Sequence, residues 1–164
     1  MAKIKVTTKF KILELIDRFV DDTTANAIGN TVVTEAKKLI SEGQSPVRGI
    51  GRFKRYSESY KTAIKGKSKA LAGKKVTPVN LNVTGKMLAL FGYRIKNDVI
   101  EVGYTEAGEH DDLPKYHQAG SGNMPSRPTV PQSGEEWTIT IMRAIRDAYG
   151  ARLEKLIRQA NKKG

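Results

Sequence analysis

Residues 90–104 admit one well-determined local solution, and it constrains the rest of the fold. A two-residue turn at Asn97-Asp98 uses residue types that tolerate the left-handed backbone of tight hairpins. Ile95 then falls opposite Ile100, Tyr93 opposite Val102 and Phe91 opposite Tyr104, all on one face. The same register sets Arg94 against Glu101 on the other face. A slip of one residue would lose both the apolar face and the charge pair. The chain is therefore expected to contain an antiparallel β-hairpin with one face needing cover.

Amphipathic helices are the expected cover. Over residues 10–20, Ile12, Ile16, Phe19 and Val20 recur every three to four positions. The polar break Asp21-Asp22-Thr23-Thr24 suits the start of a second helix, with the stripe Ala25, Ile28, Val32, Ala36, Leu39 and Ile40 and a stop at Gly43. The two segments read as two helices or as one bent helix. Ser133-Gly134-Glu135-Glu136 has the pattern of a capping box. It is expected to open a long C-terminal helix with Trp137, Ile141, Ile145, Ala148, Leu153, Leu156 and Ile157 inward. Gly150 costs that helix about 1 kcal/mol relative to alanine and is a candidate bend. Residues 105–132 hold four of the six prolines. They read as loops with a short helix near 113–117, then an extended run at 126–130 that its prolines confine to a sheet edge or an unpaired strand. The expectation is a single α+β domain over residues 1–164: a small antiparallel sheet with its β-hairpin packed against N-terminal helices and a long C-terminal helix.

Charge sets one segment apart. The net charge is +12, and residues 45–97 carry 13 basic groups against the single acid Glu58. Residues 98–136 carry eight acidic groups against two basic ones. Such blocks mark nucleic-acid binding, or head-to-tail association of identical subunits; composition alone does not choose. Residues 45–77 lack clear periodicity and read as an extended basic arm or loop, with Tyr56, Tyr60 and Ile64 giving one amphipathic turn or two. Arg48, Arg52, Phe53, Lys54, Arg55, Tyr56, Tyr60 and Lys61 interleave cations with aromatics and are the candidate contact residues, toward a protein partner or toward DNA.

Several function classes drop away. The chain has no cysteine, which excludes disulfides and thiolate chemistry. No apolar run approaches the ~18 residues of a membrane span. The basic start lacks the apolar stretch of a secretion signal, so a cytoplasmic product is expected. Gly66-Lys67-Ser68 resembles the end of a phosphate-binding loop, but Lys61 stands where that motif needs glycine. Glu109-His110-Asp111-Asp112 with His117 matches no zinc spacing, and a solvated acidic loop is the plainer reading. With two histidines and no nucleophile elbow, no enzyme, metal or cofactor is expected.

Two stretches point further. Pro78-Val79 leading to Thr84-Gly85-Lys86-Met87-Leu88 resembles the "Pro-Val … Thr-Gly-Arg-Leu" element of the tail-completion proteins of tailed bacteriophages. Tyr116-His117-Gln118-Ala119-Gly120 and Met124-Pro125-Ser126-Arg127-Pro128 resemble the "Tyr-x-His-Gln-x-Gly … Met-Pro-Ala-Arg-Pro" signature of phage virion-morphogenesis and neck proteins. The gap at residues 80–83 is longer than that family's usual spacing, Thr129-Val130 replaces its Phe-Leu, and residues 45–77 are an extension. The resemblance covers residues 78–160 and singles out Thr84, Gly85, His117, Gln118, Gly120, Pro125, Arg127 and Pro128. It implies a structural protein of the head–tail junction, assembled as a sixfold or twelvefold ring, made in the bacterial cytoplasm and built into the virion. Implied partners are further copies of itself and neighbouring neck, connector, tail-tube or tail-terminator proteins, with genomic DNA passing in the lumen and no membrane. A tail-terminator or other connector ring is the alternative, and a basic DNA-binding protein the second. Arg127, on a stiff backbone between prolines, suits aiming a guanidinium at a carboxylate, or is simply an edge residue.

Overall fold

The computed structural model describes residues 7–11, 21–65, 75–81, 86–97, 99–104, 112–122 and 124–160. The architecture is α+β. Strands β1 (Thr7–Lys11), β2 (Phe91–Lys96) and β3 (Val99–Tyr104) form an antiparallel sheet in the order β1-β3-β2. The helices are α1 (Asp22–Ser41), α2 (Glu58–Lys65), α3 (Lys86–Ala89), α4 (Asp112–Ala119) and α5 (Ile139–Ala160).

The hairpin has the expected register: Phe91 pairs with Tyr104, Tyr93 with Val102, Ile95 with Ile100 and Arg94 with Glu101. Asn97 adopts the left-handed conformation at φ 50°. Phe91 and Tyr104 meet edge to face, with ring centres 5.2 Å apart, the geometry that the ring quadrupoles favour. On the opposite face Arg94 is ion-paired to the buried carboxylate of Glu101.

β1 corrects the expectation that a helix begins at residue 10. Phe10 and Lys11 lie in a strand, with Phe10 opposite Ile100. β3 would otherwise present a bare row of backbone donors and acceptors on its outer side, and β1 closes that edge. Residues 12–20, where the rest of that helix was expected, lie outside the described residues.

α1 follows its stripe: Ala25, Ile28, Val32, Ala36, Leu39 and Ile40 are all buried. Asp21 caps its start by accepting the Thr24 amide at 2.7 Å. At the other end the Gly43 and Gln44 amides return to the carbonyls of Ile40 and Leu39, a left-handed helix stop. α1 lies between the sheet and α5, packing on β2, β3 and α5. One hydrophobic cluster joins α1, the hairpin, Val130, Trp137 and Ile141.

α5 starts later than the capping pattern predicts. The Glu135 carboxylate accepts the Gln132 amide at 2.7 Å, so the acid closes a turn and not a helix. Trp137 is buried in an extended segment instead of a helical turn. The amides of Arg48 and Thr138 donate to the carbonyls of Glu136 and Pro46, each at 2.8 Å. These cross-links hold residues 136–138 straight until Ile139. The helix then runs through Gly150.

The segment read as an extended arm is folded against the body where it is described. The Ser45 amide donates to the Gly51 carbonyl at 2.8 Å and the Phe53 amide to Gly43 at 2.9 Å, and Tyr56 leads into α2. Residues 66–74 lie outside the described residues. The run at 126–130 belongs to no strand, one of the two arrangements its prolines allow.

Candidate assembly surface

The two halves of the Tyr116…Pro128 signature fold into one clasp. Helix α4 delivers His117 and Gln118, and Gly120 reverses the chain at φ 81°. A Cβ on Gly120 would stand 3.0 Å from both the Met124 carbonyl oxygen and the Ser126 nitrogen, so glycine is required by conformation and by space. Ser121 and Met124 exchange backbone hydrogen bonds at 3.1 and 2.8 Å, closing the turn. The Arg127 amide then donates to the His117 carbonyl at 2.6 Å, and the Ser126 hydroxyl to the Gln118 carbonyl at 2.8 Å. Pro125 stands between these tied residues, where its fixed φ suits an extended backbone.

Gln118 is the fastener. Its Oε1 accepts the amides of Thr129 (3.0 Å) and Val130 (3.3 Å), and its Nε2 donates to the Val130 carbonyl at 2.6 Å. One amide side chain thus acts as a strand partner for a stretch that has no strand beside it.

Arg127 reaches from this clasp to the basic segment. The residue as a whole is 1% exposed. Nε donates to the Lys54 carbonyl at 3.0 Å, Nη2 to the Arg55 carbonyl at 3.4 Å, and the group lies 4.6 Å from the Tyr56 ring centre. Nη1 has no hydrogen-bond partner among the described residues. Burial pulls its pKa below the ordinary arginine value, and the nearby Tyr56 and Tyr60 oppose that shift. The expectation that Arg127 aims at a carboxylate is corrected: it holds two backbone carbonyls and an aromatic face. Behind it, the Ser45 hydroxyl donates to the Pro128 carbonyl at 2.6 Å, and the Tyr104 hydroxyl to Thr129 Oγ1 at 3.1 Å. Burial raises the Tyr104 phenol to about 12, against a smaller opposing effect of the Thr129 hydrogen bond.

No family model matches the chain, and no curated protein or solved structure matches it either.

The pinned segment sorts its side chains by chemistry. Phe53 and Tyr56 are buried in the core, so the expectation that they serve a neighbour as free aromatic anchors is corrected. The cations beside them face outward: Arg52, Lys54 and Arg55 are exposed and make no ion pair among the described residues. Arg48 is exposed but paired with Glu136, and Lys61 pairs with Glu58 within α2. Tyr60 is exposed at one rim, its ring centre 5.0 Å from that of Tyr56. Thr84 and Gly85 lie outside the described residues, as do residues 109–111. Among the described residues no group of three acids and histidines stands close enough to hold a metal.

The clasp-supporting hydrogen bonds of Ser45, Tyr104 and Thr129 escaped sequence reading. Each residue works through one long-range hydrogen bond, and no local pattern announces that. Gln118 and Arg127 were singled out only through the resemblance.

Proposed function

We propose that this chain is a non-enzymatic structural protein of the head–tail junction of a tailed bacteriophage, made in the bacterial cytoplasm and working as a ring between tail tube and head connector. The carrying observation is the clasp. The two motif halves that resemble the neck-protein signature meet in space, and Arg127 uses that meeting to fix a row of surface cations that make no ion pair among the described residues. A rigid display of Arg52, Lys54 and Arg55 suits docking to acidic protein surfaces, where charge guides encounter and register. A tail-terminator ring would use the same display. The test is deletion of the gene from the genome that encodes it. Filled heads and finished tails should accumulate unjoined in electron micrographs, and an unchanged infectious titre would refute the proposal.

Duplex DNA is a second reading, supported by the same three cations. Phe53 and Tyr56 are buried and have no ring face to offer a base, which leaves Tyr60 as the exposed ring of the segment, so such binding would rest mainly on phosphate contacts. Its salt dependence would reflect only about three neutralised phosphates, a slope near −3 in log K against log salt. No binding at low salt removes this reading.

A further inference from the structure

The sheet ends in two edges, β2 on one side and β1 on the other. In a hairpin closed by a two-residue turn, Gly92, Arg94 and Lys96 turn their backbone groups to β3, while Phe91, Tyr93 and Ile95 turn theirs outward. These outward groups have no backbone partner among the described residues. Open edges are commonly blunted by a short strand, a proline, a bulge or unpaired charge. β2 has six residues, as many as β3, and pairs with it without a proline or a bulge. Arg94 is ion-paired to Glu101, which leaves Lys96, beside the turn, as the remaining charge of the strand.

Helix α1 overhangs this edge. It lies more over β2 than over β3, with Gly29 against the Tyr93 ring and Asn26 accepting the Tyr93 hydroxyl. Asn26, Asn30 and Val33 share the flank of α1 turned away from its buried stripe, and they are exposed or half-buried. A strand laid beside β2 would run beneath that flank. At the far edge, the alternation along β1 turns the backbone groups of Thr7, Lys9 and Lys11 out of the sheet. They too have no backbone partner among the described residues, and the packing of α1 falls on β2 and β3.

We propose that β2 is an assembly edge, to which the next copy of this chain adds its β1 as a fourth strand beneath α1. The inference deepens the ring reading and rests on it. A row of backbone donors and acceptors is matched by an extended strand, and each copy carries one whose own outer side is open. The helix decides which edge of that copy fits. Twofold pairing of β2 with β2 would crowd two α1 helices above strands about 4.8 Å apart, whereas packed helices stand about 8–10 Å apart. β1 brings no such helix over the joint. Both edge strands run antiparallel to β3, so copies in one orientation meet in a parallel pair. Joining unlike edges leaves each copy able to take a neighbour on both sides, and the chain of copies closes as a ring.

The test uses two variants of the full chain, Ile95→Pro and Lys9→Pro. Each removes an N–H that points out of the sheet, the one place in a strand where proline leaves the ladder intact. Sedimentation and light scattering at up to millimolar concentration should show oligomers for the unaltered chain. Each variant alone should associate at least ~10-fold more weakly. Mixed in equal amounts, the variants should form a heterodimer and stop there, because each retains the edge the other lacks. Hydrogen exchange on the unaltered chain needs no substitution and decides even where a proline variant does not fold. The Tyr93 and Ile95 amides should exchange at least ~10-fold more slowly in the oligomer than in the dilute monomer. An unaltered chain that stays monomeric overturns the inference, as do oligomers in which those two amides gain no protection. Self-association of Lys9→Pro equal to that of the unaltered chain also overturns it. The head–tail reading survives any of these outcomes and is judged separately by gene deletion.

Discussion

The Arg127 guanidinium lies 4.6 Å from the centre of the Tyr56 ring, and both side chains are buried. No carboxylate balances the cation among the described residues; carbonyl oxygens and the ring face do. A planar fork that donates to two carbonyls and stacks on a ring is chemistry that lysine cannot copy. Arg127→Lys should therefore destabilise the chain by about 2–4 kcal/mol, since it leaves a compact ammonium buried with one carbonyl in reach. Arg127→Met removes the desolvated charge along with the bonds and should cost less, about 1–2 kcal/mol. Urea denaturation decides; methionine proving worse than lysine would mean that charge, and not geometry, is what the site uses.

Much of the fold was legible because certain residues answer two constraints at once. The hairpin register satisfies burial and charge pairing together, and the α1 stripe satisfies helical spacing between a capping aspartate and a stopping glycine. β1 was not legible. Its five residues contain one aromatic, and what makes them a strand is the open edge of β3, far along the chain. Phe53 and Tyr56 misled for a related reason. Set among cations they resemble a solvent-facing stacking surface, and only Arg127, 73 residues beyond Lys54, reveals that the rings turn inward. The Ser133…Glu136 capping box did not form: Glu135 closes a turn on the Gln132 amide, Glu136 pairs with Arg48, and backbone bonds with Pro46 and Arg48 hold residues 136–138 out of the helix.

Gln118 both donates to and accepts from the 129–130 backbone, so the two ends of its amide can be tested separately. Gln118→Glu keeps an acceptor for the Thr129 and Val130 amides but sets a carboxylate oxygen against the Val130 carbonyl, where a donor stood. At neutral pH the change should cost about 1–3 kcal/mol. The deficit should shrink on acidification, because a protonated glutamate recovers a donor. Chemical denaturation across pH measures both; no loss at neutral pH would show that the Nε2 hydrogen bond contributes nothing.

Gly29 lets α1 press directly on the hairpin. A Cβ there would stand 2.3 Å from Tyr93 Cδ2 and 2.6 Å from Cγ. The ring is held from its far end, where the Tyr93 hydroxyl donates to Asn26 Oδ1 at 2.8 Å. Alanine should gain about 1 kcal/mol of helix propensity, against about 1–3 kcal/mol of overpacking. Gly29→Ala should therefore be net destabilising, by up to about 2 kcal/mol. In a Tyr93→Ser background the same change should become neutral or stabilising, and a double-mutant cycle would expose the coupling. Equal effects in both backgrounds would show that the ring does not set the requirement for glycine.

Asp21 gives the chain a titratable lock between its first and last helices. The carboxylate accepts the Thr24 hydroxyl at 2.6 Å and its amide at 2.7 Å, and Arg152 of α5 donates to the other oxygen at 2.8 Å. The Thr24 hydroxyl, then Arg152, then the Thr24 amide hold its pKa at about 2, below the ordinary 3.8. Between these values the unfolded chain binds more protons than the folded one, so stability falls as pH falls. The contribution is whole above about pH 4 and is lost as the pH drops through about 2. Asparagine is itself a good cap but cannot pair with Arg152. Asp21→Asn should therefore be less stable than the unaltered chain at neutral pH, and the gap should close in strong acid. Denaturation midpoints at a series of acidic pH values test this, and a gap that stays constant with pH would place its origin in the cap geometry instead of the carboxylate charge.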